Sequence, residues 1–329
     1  MWRRRSKETG VTIIELLVAI FIVGLLAAIS VPAVQSARES SRRVQCLSNL
    51  RQIGQAFHMH HEAHRHFPSG GWGYRWQPDP GRGLGRHQPG GWPYAVLPYL
   101  EQQVLRGVGG RLSDADERSA MLVVVQTPLP VFHCPSRRSA NAYPYSGRSG
   151  FVNLDRPASA ARSDYSANAG DLQPGDKQWP GRYGPGPESL AEGDSPMFHW
   201  TQLDRTGIVY RRSETNLAAL RDGASNIYLI GEGYLNPEHY VDGLGMNDDQ
   251  GMYVGYDRDT LRITHPDAPP MRDTRGVEAD HSFGSAHPGG FHVAFADGSA
   301  RLIRFTITPD AHRRMGNRAD GQPVDASEL

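Results

Sequence analysis

The sequence has little of what marks several common protein classes. It contains only two cysteines, Cys46 and Cys134, which are too few for a disulfide scaffold and form no metal-binding motif. The 35 Lys and Arg residues balance 35 Asp and Glu residues, so no global charge favours nucleic acid. No nucleophile elbow, P-loop, zinc motif or internal repeat is present. The sequence therefore predicts no cofactor, no nucleic-acid partner and no enzymatic activity.

Glycine and proline, in contrast, are abundant. The 329 residues include 37 Gly and 24 Pro, and 38% of the chain is hydrophobic. This composition favours a loop-rich body with short strands over a helical bundle.

One long apolar run lies near the N-terminus, from Val11 to Val34. Its length of about 24 residues is enough for a helix to span a bilayer. A basic segment precedes it, and basic flanks stay in the cytoplasm. The expected topology is a single-pass membrane protein with a cytoplasmic N-terminus and an extracytoplasmic body, in the periplasm or at the cell surface. The basic residues are Arg3, Arg4, Arg5 and Lys7.

A carboxylate, Glu15, interrupts this run. A charge at bilayer depth costs about 2.5–3.5 kcal/mol on insertion scales, so it needs a partner. Cleavage after Gly10 would create an amine on Val11, one helical turn from Glu15, and the amine of the same or a neighbouring subunit could pair with it. The alternative is an uncleaved signal anchor that tolerates the glutamate.

The segment GVTIIE, residues 10–15, resembles the prepilin leader junction of type IV pilins and type II secretion pseudopilins. The resemblance implies cleavage after Gly10 by a prepilin peptidase, methylation at Val11, and assembly through Glu15. Val11 stands where those families usually have Phe, which bears on methylation more than on cleavage. Pro32 matches their membrane-exit proline.

A second helical pattern follows the apolar run. Apolar residues recur at spacings of three and four from Val34 to Phe57, with arginines between them, as in an amphipathic helix. We expect it to continue the membrane helix through Pro32 and to pack on a sheet. The predicted fold is α+β and pilin-like, with a long N-terminal helix on an antiparallel β-sheet with long loops. The predicted segments are a leader (1–10), a transmembrane helix (11–34), its amphipathic continuation (35–66), a β-rich body (67–310) and a polar tail (311–329).

Within the body, short apolar runs predict strands. The clearest signal is a hairpin, in which Phe291–Ala296 and Ser299–Phe305 flank the turn residues Asp297 and Gly298. Residues 70–91 and 135–190, rich in Gly, Pro, Ser and Arg, are expected to be surface loops. The other predicted strands are Met121–Gln126, Leu129–His133, Ile227–Gly231 and Met252–Tyr256.

Several segments resemble the DUF1559 family of prepilin-like proteins. The family's C-terminal signature, a His, nine residues and Asp-Gly, matches His287, Asp297 and Gly298. An extended strand between them would hold His287 and Asp297 too far apart to share a proton, so a structural role is favoured over a catalytic pair. The matching segments include CLSNL (46–50), LPYLEQ (97–102), FHCPS (132–136), DYSANAG (164–170), DGASN (222–226) and FGSAHPGG (283–290).

Five histidines cluster in HMHHEAHRH, residues 58–66. His60 and His64 are four positions apart and could share a metal ion, but the H-E-x-x-H pattern fails because the residue four positions after His61 is Arg65 and not His. The alternative is a helix end whose histidines cap carbonyls, pack or face water.

The two cysteines both lie on the extracytoplasmic side of the predicted topology, where a disulfide between Cys46 and Cys134 is chemically favoured. The alternative is two separately buried thiols.

Three functions compete. The first is a non-enzymatic, pseudopilin-like structural or surface protein whose partners are a prepilin peptidase, membrane lipid, and other pilin-like subunits or a secretion-type assembly machine. The second is a tethered module that binds carbohydrate or peptide through Trp72, Trp76, Trp92, Trp179 and Trp200. The third is a metal-dependent hydrolase built from the histidines and the acidic residues Asp242, Asp248, Asp249, Asp257 and Asp259. Convergence of His and Asp in one pocket would favour the third.

Overall fold

The computed structural model describes residues 12–110, 112, 114–147, 150–171, 185–200, 205–322, 324–325 and 328. Gly10, Val11 and Trp179 lie outside these residues, so the cleavage and methylation positions stay predictions. The chain divides into two units, Met1–Val44 and Gln45–Leu329.

A single helix, α1, runs from Ile13 to His64 and passes through Pro32 without a break. Proline removes one backbone donor and kinks or breaks a helix, but here the helix continues on both sides. In the first unit α1 is long and apolar enough to cross a membrane, and none of its most apolar part is buried within the protein. Ile13 and Phe21 are more than two-thirds exposed. This confirms the predicted long helix.

In the second unit, one face of α1 is buried against the sheet. Cys46, Leu50, Ile53 and Phe57 recur at the three- and four-residue spacing of a helix face, and all are fully buried. Gly54 allows close approach to the sheet, since a Cβ there would lie 3.4 Å from the Cβ of Ala294.

The central sheet has five strands in the order β5-β3-β4-β8-β9, and every neighbouring pair is antiparallel except β3 with β5. β1 pairs with β2, and β6 with β7, in two small sheets. The strands are β1 (Tyr143–Pro144), β2 (Ser159–Ala160), β3 (Tyr165–Asn168), β4 (Tyr228–Glu232), β5 (Leu261–Arg262), β6 (Met271–Arg272), β7 (Gly284–Ser285), β8 (Gly290–Phe295) and β9 (Ala300–Arg304). The remaining helices are α2 (Trp92–Ala95), α3 (Gln103–Arg106), α4 (Asp114–Gln126), α5 (Leu190–Asp194) and α6 (Pro309–Gly316).

The predicted hairpin is confirmed as β8 and β9, with Phe291 opposite Ile303. Gly298 adopts a φ of +87°, a conformation that glycine reaches without steric cost. The predicted strand at Ile227–Gly231 is confirmed as β4.

Each face of the central sheet covers a core. Ala294 belongs to the core that includes the buried face of α1. Phe291, Val293 and Phe295 belong to the core on the other side, which includes Met315 of α6. Residues 309–316, which the sequence analysis divided between body and tail, therefore pack as part of the body.

Three predicted strands are wrong. Met121–Gln126 is the end of α4, Leu129–His133 contains a 3₁₀ turn, and Met252–Tyr256 has no regular secondary structure. The run Val123–Val125 has the composition of a strand, but Met121, Val124 and Val125 are buried at helical spacing. Tertiary packing overrides local propensity here.

Several described residues within the predicted surface loops 70–91 and 135–190 are buried. Trp72 and Trp76 are fully buried, and the guanidinium groups of Arg137 and Arg138 lie inside the protein on buried aspartates. Arg137 and Arg138 can be buried because each pairs with a buried aspartate, which offsets the cost of removing its charge from water.

Candidate functional site

Four side chains that could each offer a metal or redox atom meet in the interior of the second unit. We call Cys46, Cys134, Glu232 and His287 the Cys-His-Glu cluster; all four residues are buried, and their donor atoms lie within 4.8 Å of one another. They come from α1, the segment after the 3₁₀ turn at 130–132, the end of β4, and the loop before β8. Only the folded sheet brings them together.

The two sulfur atoms are in close contact. The Sγ atoms of Cys46 and Cys134 lie 2.9 Å apart, and both cysteines are free thiols in this structure. The Cys134 amide N–H donates to Asp164 Oδ2 at 2.6 Å, which fixes its loop. The hydrogen bond with Cys46 and burial both raise the pKa of the Cys134 thiol well above its usual range. Cys134 is therefore a weak nucleophile in the folded protein.

Two histidines surround the buried carboxylate of Glu232. His287 Nε2 lies 3.2 Å from Oε1, and His292 Nδ1 lies 3.0 Å from Oε2. Burial alone would raise the pKa of Glu232, but these two histidines hold it well below its usual range. Burial likewise opposes charge on His287, but Cys134 and Glu232 raise its pKa to about 10. The pair is therefore an imidazolium and a carboxylate with no net charge.

Cys134, His287 and Glu232 have the residue types of a nucleophile, a base and an orienting acid. Cys134 Sγ lies 3.6 Å from His287 Nε2. Cys134, Glu232 and His287 are each 0% exposed, so a substrate cannot reach the sulfur.

The two parts of the C-terminal signature are separated by β8, as the sequence predicted. His287 precedes the strand and joins the Cys-His-Glu cluster. Asp297 follows the strand and accepts the Ser299 amide N–H at 2.8 Å, which closes the hairpin turn with Gly298.

The histidines at the end of α1 form a packed group. The rings of His60 and His64 have centroids 4.6 Å apart, and His60 Nδ1 lies 2.9 Å from the carbonyl oxygen of His66. Burial lowers the pKa of His60 to about 3. Among the described residues, His60 and His64 belong to no metal-ligand group of three.

Asp249, Asp257 and Asp259 do converge in a separate acidic group. Asp259 Oδ2 accepts the amide N–H groups of Gln250 and Gly251 at 2.7 and 2.6 Å. Asp242 instead bonds to His239, and Asp248 bonds to Arg138. Among the described residues, the two groups that could hold a metal ion are this acidic group and the Cys-His-Glu cluster, and they share no residue. The histidines and aspartates of the predicted hydrolase therefore do not meet in either group.

The tryptophans do not form an open platform. Trp72, Trp76 and Trp92 are fully buried, and the Trp92 indole N–H donates to the Thr260 carbonyl at 2.9 Å. Trp200 is partly exposed and packs on Trp72 with a centroid distance of 5.2 Å.

At the start of α1, Glu15 has a partner that the sequence analysis missed. Its Oε2 accepts the backbone N–H of Thr12 at 2.9 Å and the Thr12 hydroxyl at 3.0 Å. The Glu15 amide N–H donates back to Thr12 Oγ1 at 3.2 Å. This is a capping box, and its signal, Thr12 followed three residues later by Glu15, was present in the sequence.

Two family models match the chain. The model described as "Protein of unknown function (DUF1559)" matches residues 35–310, and the prokaryotic N-terminal methylation motif matches residues 5–31. No curated protein and no solved structure matches.

Proposed function

We propose, because the chain belongs to the DUF1559 family, that it is a prepilin-like membrane protein cleaved after Gly10 and methylated on the new amine of Val11. One observation carries the proposal. The methylation motif at residues 5–31 coincides with the capped start of α1 and with its exposed apolar segment. A prepilin peptidase needs both features, a processing motif and a membrane helix that presents it.

The body acts outside the cytoplasm as a non-catalytic structural part. The buried, charge-neutral setting of His287 supports this, since a substrate would need access to the Cys-His-Glu cluster. The burial of three tryptophans argues against a stacking platform for carbohydrate. Pseudopilin-like assembly would use Glu15 of one subunit and the Val11 amine of the next.

The test is the intact mass of the full chain extracted from membranes. We expect a chain that begins at Val11 and carries one added methyl group. Gly10→Leu is the matched variant, because it blocks the junction without altering the apolar helix; we expect it to retain residues 1–10. A wild-type chain that begins at Met1, or beyond Pro32, contradicts the proposal.

The location of the body is tested separately. Val241 is 55% exposed on the second unit. A Val241→Cys variant in intact cells should react with a membrane-impermeant maleimide, whereas the wild type should not. Absence of labelling in intact cells, with labelling after lysis, would place the body in the cytoplasm and contradict the proposal.

A further inference from the structure

We propose that Cys46 and Cys134 are joined by a disulfide in the mature protein, which ties α1 covalently to the β-rich body beside the signature residue His287. This inference rests on the proposed extracytoplasmic location of the body, where disulfides form and persist.

The geometry brings the sulfurs together before any bond is made. The Sγ atoms lie 2.9 Å apart, and a disulfide bond is about 2.05 Å long, so the sulfurs need to approach by less than about 1 Å. Different parts of the fold position the two cysteines. Cys46 lies on the buried face of α1, and the amide of Cys134 is anchored by Asp164.

A metal ion is the competing occupant, because the cluster presents two sulfurs, an imidazole and a carboxylate. Charge and spacing favour the disulfide. His287 and Glu232 already neutralise each other at 3.2 Å, with His292 on the second carboxylate oxygen. Tetrahedral zinc with Zn–S bonds of about 2.3 Å would hold the sulfurs about 3.8 Å apart and would require thiolates and a neutral imidazole.

The oxidation is a two-electron exchange. One thiolate attacks the disulfide of an extracytoplasmic thiol oxidase and forms a mixed disulfide. The second cysteine then displaces the oxidase sulfur, and the Cys46–Cys134 bond forms. The oxidase disulfide is reduced to two thiols, which take up the two protons that the substrate thiols lose. Because both thiols are 0% exposed in the folded protein, the exchange must precede or accompany the docking of α1 on the sheet.

The expected effect on stability is large. The two cysteines are 88 positions apart, and closing a loop of this length constrains the unfolded chain. In the chain-entropy model, reduction should lower the folding equilibrium constant roughly a thousandfold. Burial then shields the bond from reductants in the folded state.

The decisive experiment counts thiols in the full chain. Membrane-extracted protein is denatured without reductant, alkylated with N-ethylmaleimide and weighed. We expect no label on the wild type, two labels after prior reduction, and one label on each of Cys46→Ser and Cys134→Ser. Reduction in the denatured state, followed by refolding in reductant, should lower the thermal midpoint of the wild type and leave that of the Cys46→Ser/Cys134→Ser double variant unchanged.

Two labels on the unreduced wild type would overturn the inference. If such protein also carries one zinc ion per chain by elemental analysis, the cluster is a metal site instead. The Val241→Cys reporter separates the two proposals. External labelling together with two free thiols rejects the disulfide and leaves the proposed function intact. If the reporter lies inside the cell, the proposed function fails. The disulfide is then tested by refolding the purified full chain with oxidised glutathione, and two free thiols after refolding reject it.

Discussion

The carboxylate of Glu15 accepts two hydrogen bonds from Thr12, one from the backbone N–H at 2.9 Å and one from the hydroxyl at 3.0 Å. Glu15 therefore has a partner within its own chain as well as the subunit partner proposed for it. The capping role depends on an acceptor oxygen, whereas pairing with an amine depends on charge. The two roles can be separated by substitution.

We expect Glu15→Gln to insert as well as the wild type and to lose assembly. Glutamine also serves in a capping box, so the helix start is kept while the charge is removed. Thr12→Ala is the matched variant, because it removes the cap hydroxyl and keeps the charge. Membrane fractionation measures insertion, and crosslinking in membranes measures assembly. Equal yields of crosslinked oligomers from Glu15→Gln and wild type would contradict the pairing.

His287 should make stability depend on alkaline pH. With Cys134 as a free thiol, the pKa of His287 in the folded protein is raised to about 10, above the ordinary value of 6.5. The stabilising contribution of the charged form is therefore complete below pH 6.5 and is lost as pH rises through about 10. The difference in unfolding free energy between wild type and His287→Gln should shrink over this range in urea titrations of the reduced proteins. Val293→Ala, a buried variant that does not titrate, should show a constant deficit; a constant deficit for His287→Gln would refute the assignment.

Arg138 neutralises buried carboxylates and should be costly to remove. Its guanidinium bonds to Asp248 and lies 2.9 Å from Asp164, and all three side chains are buried. Arg138→Met leaves buried negative charge uncompensated, so we expect a loss of about 3–5 kcal/mol by chemical denaturation. The control is Arg75→Met, whose partner Glu188 is mostly exposed, with an expected loss below about 1 kcal/mol. Similar losses for both variants would show that burial does not set the energy of the Arg138 network.

His312 should destabilise the protein in acid. It is fully buried among Tyr228, Phe283 and Phe291, and neither ring nitrogen has a hydrogen-bond partner among the residues that the structure describes. Burial lowers its pKa to about 3, so the unfolded chain gains a proton near pH 6.5 that the folded chain takes up only near pH 3. Stability is lost across that interval as pH falls.

His312→Phe should therefore be more stable by about 1 kcal/mol at pH 7 and should lose less stability on acidification. Thermal denaturation between pH 7 and pH 4 measures both effects. His87→Phe, at a largely exposed position, should follow the wild-type acid profile. An unchanged acid profile for His312→Phe would show that His312 is not buried neutral.

The sequence was sufficient for features encoded locally. The apolar run, the helical spacing from Val34 to Phe57, and the Asp297-Gly298 turn are each a signal from neighbouring residues. α1 and the β8–β9 hairpin are as predicted from them. α4 was mistaken for a strand because its three consecutive valines favour strands locally while their burial is set by packing.

The Cys-His-Glu cluster depends on long-range pairing and could be predicted only in part. The sequence left two alternatives for the cysteines, a disulfide or two separately buried thiols, and it predicted no role for Glu232. The β4–β8 register places Gly231 opposite Val293, and the next pair brings Glu232 beside His292. The sequence spacing between Cys134, Glu232 and His287 does not reveal that register. The ion pairs of the buried residues Arg137 and Arg138 also join residues that are far apart in the sequence.

Because β8 separates His287 from Asp297, the signature fixes the number of residues between them. Within those nine intervening residues, substitutions that keep size and polarity leave both ends in place. An insertion or deletion of one residue moves one end of the signature, since either His287 leaves Glu232 or Asp297 leaves its turn. It also moves the side chains of the strand to the opposite face of the sheet. Alignment gaps should therefore be excluded from residues 287–298 in relatives that keep this fold, and loop grafting should use the segments outside it.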